Sequence, residues 1–318
     1  MELYYIAIAF FIDLIIGDPY FLPHPIVLIG KFVSFMEKLL RKFARNPKAL
    51  KGAGVVLLIT TVMFSVSIVL VPLFILRQFG GLFYIVGYIY FSYAILSTKC
   101  LKDEAIKVKK ALEKSLEDGR RQVGYIVGRD TTELREDEVI KATIETVAEN
   151  TTDGIIAPLL FLFIGGPVLA MAYKGVNTLD SMVGYKNEKY INFGCASAIT
   201  DDILNFIPAR ISGFVMVGAS IIARFDIKKS LQILLRDHDK HNSPNSAWTE
   251  AAAAGALNIQ LGGTHTYFGK EVYKPTIGDY TKDVVVKDID RMNKLMLVTC
   301  CLFMVIGLAV GLFIKSRW

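Results

Sequence analysis

Three long apolar segments constrain this chain more than any other feature of its sequence. Residues 53–76, 79–98 and 295–314 contain no Asp, Glu, Lys or Arg. Each is about 20 residues long, which is enough for a helix to cross a hydrocarbon core of about 30 Å. Residues 1–17 are also apolar, but Glu2 and Asp13 and the lack of a basic start favour a retained membrane helix over a signal peptide. We therefore predict an all-α, polytopic membrane protein with about four clear transmembrane helices.

The basic residues predict the orientation of these helices. Most of the 36 lysines and arginines lie in three blocks between apolar segments, residues 18–52, 99–154 and 225–294. By the positive-inside rule the three blocks are cytoplasmic, and the turn around Arg77 lies outside. We expect a single membrane-embedded domain, residues 1–318, with a polar helical cytoplasmic segment at 225–294. Basic flanks of a multi-pass cell-membrane protein explain the net charge of +6 without nucleic acid.

Two further apolar runs are interrupted. Gly165-Gly166-Pro167 lies in the middle of residues 155–173, and Asn205, Pro208 and Arg210 lie in the next run. These interruptions predict broken or re-entrant helices whose freed backbone groups line a cavity. If both runs turn back, the polar loops along the chain share the cytoplasmic face. If both cross fully, residues 174–202 lie outside, and we expect the first arrangement.

Acids and amides are concentrated within residues 142–213, between apolar runs. Glu145 and Glu149 stand one helical turn apart, and similar pairs recur at Asn177 and Asp180 and at Asp201 and Asn205. Ionisable groups among membrane segments are costly and indicate a functional site. Their hard oxygen atoms suit Mg²⁺ bound to phosphate better than zinc. The alternative for any one of these residues is an ordinary solvated helix cap.

Two other stretches are candidates for substrate contacts. Ser243-Pro244-Asn245-Ser246 precedes an alanine-rich helix, whose first N–H groups would attract a phosphate or be capped in the usual way. The proline-rich loop GDPYFLPHP holds Asp18 and His24 in a stiff connection. Arg129, in a glycine-containing loop, is a further candidate phosphate ligand.

Five motifs together carry a family resemblance. They are GDPYFLPHP, E-x-x-x-E-N-T-T-D-G-x-x-A-P-L, Y-K-x-x-N-T-L-D-S-M-V-G-Y, D-D-x-x-N-x-x-P-A-R and RDHDKHNSPNSAWTEAAAAGALNIQLGG. In this order they resemble the signatures of the adenosylcobinamide-phosphate synthase family, integral membrane enzymes of cobalamin biosynthesis. The resemblance extends from about Asp13 to Gly269.

The resemblance implies an ATP- and Mg²⁺-dependent carbon–nitrogen ligase. It would join the free carboxylate of adenosylcobyric acid to the amine of an aminopropanol phosphate or related amino alcohol. The residues within the matching motifs supply the candidate site. The candidate catalytic residues are Glu145, Glu149, Asp180 and Asp18. The candidate substrate- or phosphate-binding residues are Asn150, Lys174, Asn177, Arg210, Arg236, Ser243, Asn245 and His24, and the candidate metal ligands are Asp153, Asp201, Asp202 and Glu149.

Two other functions are compatible with the residues. A membrane-embedded, Mg²⁺-dependent prenyltransferase also holds diphosphate with Asp and Asn on helices, and DDILN looks like half of such a site. A non-catalytic corrinoid-binding membrane protein is the third hypothesis. The expected partners are the two small-molecule substrates, the lipid bilayer and other membrane enzymes of the corrinoid pathway, with no nucleic acid.

Overall fold

A computed structural model describes residues 2–19, 23–267 and 270–317, with backbone alone for 264–267 and 270–272. Residues 20–22 of the GDPYFLPHP motif lie outside the described residues. The first six helices are α1 Glu2–Ile16, α2 Pro25–Phe43, α3 Pro47–Gln78, α4 Gly81–Tyr93, α5 Thr98–Leu112 and α6 Leu116–Val123. They are followed by α7 Glu136–Thr151, a π-helical turn Thr152–Ile156, α8 Ala157–Val183, α9 Cys195–Ala223, α10 Ile227–Asp237, α11 Ser246–Leu257 and α12 Lys287–Arg317. Between α11 and α12, β1 Leu261–Tyr267 pairs antiparallel with β2 Lys270–Ile277.

Five helical stretches of the described chain are long and apolar enough to cross a membrane. They are Pro47–Gln78, Gly81–Leu112, Glu136–Val183, Cys195–Ala223 and Lys287–Arg317. They confirm the predicted all-α, multi-pass class and contain the three charge-free segments except residues 79 and 80. Helix α1, expected as a membrane helix, has 15 residues and is not among the five. The hairpin of β1 and β2 was not predicted.

The chain divides into two compact units, and the sequence prediction of one domain did not distinguish them. Unit 1 comprises Met1–Ser97, Ala157–Asn205 and Gly307–Trp318, and unit 2 comprises Thr98–Ile156 and Phe206–Ile306. Each is described by itself below.

In unit 1, α8 is broken where its glycines predicted a break. Gly165 and Gly166 have non-helical backbone angles, and Gly166 has a φ of 63°, which favours glycine. The rings of Phe161 and Tyr173, on either side of the break, stack with centroids 4.8 Å apart. A straight helix would separate these residues by about 18 Å at 1.5 Å per residue. The two halves of α8 therefore lie side by side as a re-entrant hairpin.

Helix α9 does not follow this pattern. It runs without a break from Cys195 to Ala223 with Pro208 inside it, so the prediction of a second broken helix around Asn205, Pro208 and Arg210 is wrong. A proline removes one N–H from the ladder but does not impose a reversal, and membrane helices tolerate it when nearby groups satisfy the freed carbonyl. Unlike α8, this helix has no consecutive glycines to allow a reversal.

The second half of α8 returns along α3 towards the N-terminal end of α3. Gly175 packs against Ser65 in the middle of α3, and Gly54, near its beginning, approaches the carbonyl of Phe193. Both contacts are too close for a Cβ atom, since one added to Gly54 would lie 2.0 Å from that carbonyl oxygen. Arg41 of α2 donates to the Lys189 carbonyl at 2.9 Å. The loop after α8 thus lies at the same end of unit 1 as the first basic block.

In unit 2, α7 contacts α5, α6, α11 and strand β1 of the hairpin. Helix α11 packs on α7 and on α10, where Gly255 approaches the Lys229 backbone so closely that an added Cβ would lie 2.4 Å from its carbonyl oxygen. The alanines of α11 are buried and keep the helix thin enough for this packing. The chain leaves α11 through Asn258 in the left-handed conformation and enters β1. This arrangement brings α7, α11 and the hairpin together.

Candidate active site

Unit 2 contains a buried acid–base cluster, defined here as Arg129, Glu145, His241, Glu250 and Lys274. Glu250 of α11 is 0% exposed, and the Lys274 Nζ of β2 donates to both of its carboxylate oxygens at 3.1 Å. The Nδ1 atom of His241 lies 3.5 Å from the Glu250 Oε1. Lys274 keeps 24% of its side chain exposed and is the group by which the cluster reaches the surface.

Glu145 of α7 is held by three groups from different segments. Arg129 donates to its Oε2 at 3.0 Å, and Lys274 Nζ lies 3.9 Å from the same oxygen. The backbone N–H of Gly262 donates to Oε1 at 2.8 Å. The Nε of Arg129 has no hydrogen-bond acceptor in the described chain although the side chain is 4% exposed. Glu145 is therefore fixed in orientation, and Arg129 retains a buried donor.

The β-hairpin contributes the Gly262 N–H and Lys274 to the cluster because its register is irregular. Leu261 pairs with Ile277 but Gly263 pairs with Lys274, so a bulge lies between them. Gly262 has a φ of 79°, and a Cβ there would lie 2.6 Å from the Pro275 carbonyl oxygen. A bulge re-aims backbone groups at this kind of position. It frees the Gly262 N–H for Glu145 and places Lys274 beside Glu250.

Burial and neighbouring charges shift the pKa values of Glu250 and Lys274. Burial raises the pKa of Glu250, Lys274 lowers it, and Glu145 and Glu149 raise it again, with the result at about 8. Burial alone lowers the pKa of Lys274, but Glu250, Glu145 and Glu149 outweigh burial and raise it above its usual value. These shifts favour an ammonium on Lys274 and a protonated carboxyl on Glu250.

The sequence located only part of this cluster. Glu145 was predicted, and Glu149 acts on the same groups through its charge. Glu250, His241 and Lys274 were missed as site residues. The signal for Glu250 was available, because it is the one acid in the alanine-rich run that becomes α11. Lys274 stands in an ordinary polar stretch with no such signal.

Two other predicted residues lie at the end of α7. The Asn150 Nδ2 donates back to the Thr146 carbonyl at 2.9 Å, so part of this amide is used within its own helix. Asp153 lies in the π-helical turn Thr152–Ile156 that follows. Single π-helical turns inside helices occur often at functional sites.

Unit 1 contains a second polar group, the Asp201 network of Tyr173, Asn177, Asp201 and Asn205. The Asn177 Nδ2 donates to one Asp201 oxygen at 3.3 Å, and the Asn205 Nδ2 donates to the other at 3.0 Å. The Tyr173 hydroxyl donates to the Asn205 Oδ1 at 2.9 Å. These bonds join α8 to α9. Both oxygens of Asp201, a predicted metal ligand, accept from amides.

The other predicted residues of unit 1 lie in α8, in α9 and in the loop before α2. Asp180 is in the last turn of α8, where its carbonyl accepts from the Gly184 N–H at 2.7 Å. Lys174 and Asp202 act electrostatically on Asp201. In the loop before α2, the His24 Nε2 lies 3.4 Å from the Asp18 Oδ1. The structure thus pairs Asp18 with His24, as two candidates from one motif.

In unit 2 the start of α11 brings three predicted residues together. The Arg210 Nη1 lies 3.4 Å from the Asn245 Oδ1, and its guanidinium stacks on Trp248. The Ser243 Oγ accepts from the Asn245 N–H at 3.3 Å. Arg210 therefore places a positive charge beside the N-terminus of α11, as a phosphate-binding role would need.

Arg236, a predicted phosphate ligand, is paired with two carboxylates. Its Nε and Nη2 donate to the two oxygens of Asp237 at 2.7 and 2.8 Å, and its Nη1 donates to Asp279 at 2.8 Å. Burial alone raises the pKa of Asp237, but Arg236, Lys240 and the Gly278 N–H lower it to about 2. Two carboxylates use the guanidinium in this structure, and binding of a substrate phosphate by Arg236 stays a prediction. Arg236 ties α10 to the segment after β2.

The described acidic residues offer few ligands for a metal ion. The described residues contain no group of three or more His, Cys, Asp or Glu side chains that could hold a metal ion. Mg²⁺ commonly uses one or two carboxylates together with substrate phosphates. Glu149 and Asp153, four residues apart at the π-helical turn, fit that smaller requirement. The predicted pair Asp201 and Asp202 belongs to the other unit, and Asp201 is engaged by amides.

Comparison with known proteins decides the family. Residues 6–296 match the family model described as CobD/Cbib protein. The chain belongs to the CobD/CbiB family. Two curated relatives, each called "Cobalamin biosynthesis protein CobD", come from Listeria monocytogenes. The serotype 4b (strain F2365) protein is 48% identical over 315 residues, covering 99% of this chain and 100% of its own length. The serovar 1/2a (strain ATCC BAA-679 / EGD-e) protein is 50% identical over 297 residues, or 93% and 94% of the two chains.

A third relative carries the other name of the CobD/CbiB family. The "Cobalamin biosynthesis protein CbiB" of Salmonella choleraesuis (strain SC-B67) is 43% identical over 312 residues, which is 98% of this chain and 96% of the relative. No solved structure matches the chain. Because the family match begins at residue 6 and ends at 296, it includes the acid–base cluster and the Asp201 network.

Proposed function

We propose that this CobD/CbiB family member is an ATP- and Mg²⁺-dependent amide ligase. It joins the free carboxylate of adenosylcobyric acid to the amine of an aminopropanol phosphate or related amino alcohol, giving adenosylcobinamide phosphate. Membership in a family whose curated relatives are named cobalamin biosynthesis proteins supports a role in cobalamin biosynthesis. The resemblance of its motifs supports the particular reaction.

The observation that carries the proposal is the acid–base cluster. An amino alcohol arrives as an ammonium ion and becomes a nucleophile only after it loses a proton. A general base works best when its pKa lies near the working pH. The carboxyl of Glu250, with a pKa of about 8, meets this condition. Lys274, which is partly exposed, donates a hydrogen bond to this carboxyl. We assign uptake of the amine proton to this cluster.

The remaining chemistry needs an activated carboxylate. Transfer of a phosphoryl or adenylyl group from ATP to a carboxylate oxygen makes that oxygen a leaving group. The amine nitrogen then attacks the acyl carbon, the C–N bond forms, and the C–O bond breaks with release of the phosphate group. Arg129, with its free Nε, is suited to an anionic oxygen of the activated group.

The start of α11 is proposed to hold a substrate phosphate. Arg210 and the backbone N–H groups of a helix N-terminus favour an anion there. Ser243→Ala combined with Asn245→Ala should raise the KM for one phosphorylated substrate and spare the affinity for the corrinoid. Equal weakening of every substrate would indicate a lost helix cap instead.

Mg²⁺ would be held by Glu149 and Asp153 at the end of α7. When bound, it would neutralise negative charge on the phosphate oxygens during transfer. These two residues offer the hard oxygen donors that Mg²⁺ prefers, and both lie in the motif that resembles the ligase family.

We propose a cell-membrane location with the active face in the cytoplasm, where ATP is available. Unit 1 supports this because the loop after α8 lies beside the basic helix α2. With the four native cysteines replaced by serine, a cysteine at Gln78 should react with an impermeant thiol reagent in intact cells, and one at Ser181 should not. Ready labelling at Ser181 would contradict the topology. Association with other membrane enzymes of the corrinoid pathway is a further part of the proposal.

The function itself is tested with purified protein in lipid. Incubation with adenosylcobyric acid, an aminopropanol phosphate, ATP and Mg²⁺ should yield the amide, detected by its mass, together with a cleavage product of ATP. Reactions without ATP or without the amine are the controls. Binding of the corrinoid without an amide product would indicate the non-catalytic function. Consumption of a prenyl diphosphate would indicate the prenyltransferase.

A further inference from the structure

Helix α2 is buried on one side only. Ile29 and Val33 are fully buried, and Phe32 stacks on Phe64 of α3 with ring centroids 4.2 Å apart. Gly30 packs near Met182 of α8. This side accounts for the contacts of α2 with α3 and α8.

The adjoining side of α2 exposes a stripe of large apolar residues. Leu28, Phe35, Leu39 and Phe43 are exposed by 48, 63, 38 and 79%. Their spacing of seven and four residues puts them on one face of the helix. Because α2 packs against the membrane-spanning helix α3, this stripe is positioned to meet lipid.

Three lysines border the stripe. Lys31, Lys38 and Lys42 have no ion-pair partner among the residues that the structure describes. The one acid of α2, Glu37, is used on the other flank, by Arg41 at 2.9 Å and by Lys189 at 3.6 Å. Positive charge on the apolar edge of α2 is therefore not neutralised by its own helix.

A shallow, open groove joins the charged and apolar parts of this face. Its volume is about 510 Å³, and its lining includes Lys31, Ser34 and Lys38 on one ridge of α2 and Met182 of α8 below them. Two ammonium groups and a hydroxyl thus border an opening with an apolar floor. Basic pockets of this kind at the cytoplasmic side of membrane helices suit anionic head groups.

We propose that the face of α2 formed by Lys31, Phe35, Lys38, Leu39 and Lys42 binds an anionic phospholipid. The lysines contact the head-group phosphate, and an acyl chain lies along Phe35 and Leu39. A free phosphate ion would explain the lysines but would leave the apolar stripe exposed to water. A lipid satisfies both parts of the surface.

The test compares lipid selectivity of two matched triple variants. One removes the α2 charges through Lys31→Gln, Lys38→Gln and Lys42→Gln. The other removes three exposed lysines of unit 2 through Lys110→Gln, Lys228→Gln and Lys287→Gln, with the same change in net charge. The full-length protein is reconstituted in phosphatidylcholine bilayers, and association of spin-labelled phosphatidylglycerol is compared with that of spin-labelled phosphatidylcholine.

We expect wild type and the unit 2 variant to prefer phosphatidylglycerol, and the α2 variant to lose this preference by about fivefold or more, since each lysine near an anionic surface contributes about that factor. High salt should reduce the wild-type preference. Phe35→Ser should weaken the association of both spin-labelled lipids equally. Inorganic phosphate should not displace the labelled phosphatidylglycerol.

Three results would overturn the proposal. The first is an α2 variant that keeps the wild-type preference for phosphatidylglycerol at an unchanged melting temperature. The second is a unit 2 variant that loses as much of this preference as the α2 variant. Displacement of the lipid by inorganic phosphate would show that the lysines bind a free anion. If the α2 variant does not fold, Lys38→Gln alone must still lower the preference.

Discussion

The acid–base cluster of unit 2 and the Asp201 network of unit 1 are both buried polar groups, but they are built in different ways. In the network, one carboxylate accepts from two neutral amides, and a tyrosine completes the amide of Asn205. In the cluster, two carboxylates share one ammonium, a guanidinium and a backbone N–H.

This difference favours a structural role for the network and a chemical one for the cluster. Neutral donors satisfy both oxygens of Asp201 but do not neutralise its charge, and they join two helices. Opposing full charges in a buried place shift protonation equilibria and leave donors such as the Arg129 Nε available. The cluster can therefore bind and transfer protons, whereas the network holds α8 to α9.

The largest expected effect comes from removing the ammonium of the cluster. Lys274→Met leaves Glu250 buried beside Glu145 without its cation, and breaking a buried pair in this way costs about 3–5 kcal/mol. The melting temperature in detergent should fall strongly, and amide formation should be lost.

The matched control is the double variant Lys274→Met with Glu250→Leu, which removes both charges. It should recover most of the stability, because apolar replacement of a buried pair is often neutral. It should remain inactive. A single Lys274→Met variant as stable as wild type would contradict the buried geometry.

The second effect is a pH dependence of stability. The pKa of Glu250 in the folded protein, about 8, lies above the ordinary value of 4.5. The folded state therefore binds this proton more tightly, and the stabilisation is full below pH 4.5 and is lost progressively as the pH rises from 4.5 to about 8. Melting temperatures of wild type should fall between about pH 5 and 8 and level off above that, and Glu250→Gln should remove this part of the decline. An identical decline in both proteins would contradict the shift.

The smallest effect distinguishes the two roles of Asp201. As part of the network, Asp201→Asn places an amide donor opposite another amide, and the lost bond should cost about 1–2 kcal/mol with an unchanged Mg²⁺ requirement. As a metal ligand, Asp201 would be needed for the Mg²⁺ response, and turnover would fall by orders of magnitude. A titration of the reaction rate with Mg²⁺ decides between them.

The sequence predicted those parts of the fold that follow from local composition. Charge-free segments predicted the long helices, and Gly165-Gly166-Pro167 predicted the reversal in α8, because two glycines without side chains permit backbone angles that no helix uses. Pro208 alone did not break α9, since a proline costs one hydrogen bond and leaves the helical path open.

The site was only partly predictable because it depends on tertiary contacts. Glu145 was visible as an acid in a semi-apolar stretch, but its partner Lys274 is 129 positions away, on a hairpin that a bulge at Gly262 re-aims. Arg236 looked equally suited to a phosphate, and only the structure shows that Asp237 and Asp279 use it. Residue type indicated which groups do chemistry, but not which charges neutralise each other.

The pH profile of amide formation tests the assignment of the acid–base cluster most directly. Wild type, Glu250→Gln and Asp237→Asn are compared, the last removing a buried carboxyl outside the cluster. If the cluster takes the amine proton, kcat/KM of wild type and Asp237→Asn rises with pH through an apparent pKa near 8. Glu250→Gln should then lack this rise and be about 10²- to 10⁴-fold slower at its plateau while still binding corrinoid. A folded Glu250→Gln protein with the wild-type rate and profile would contradict the account.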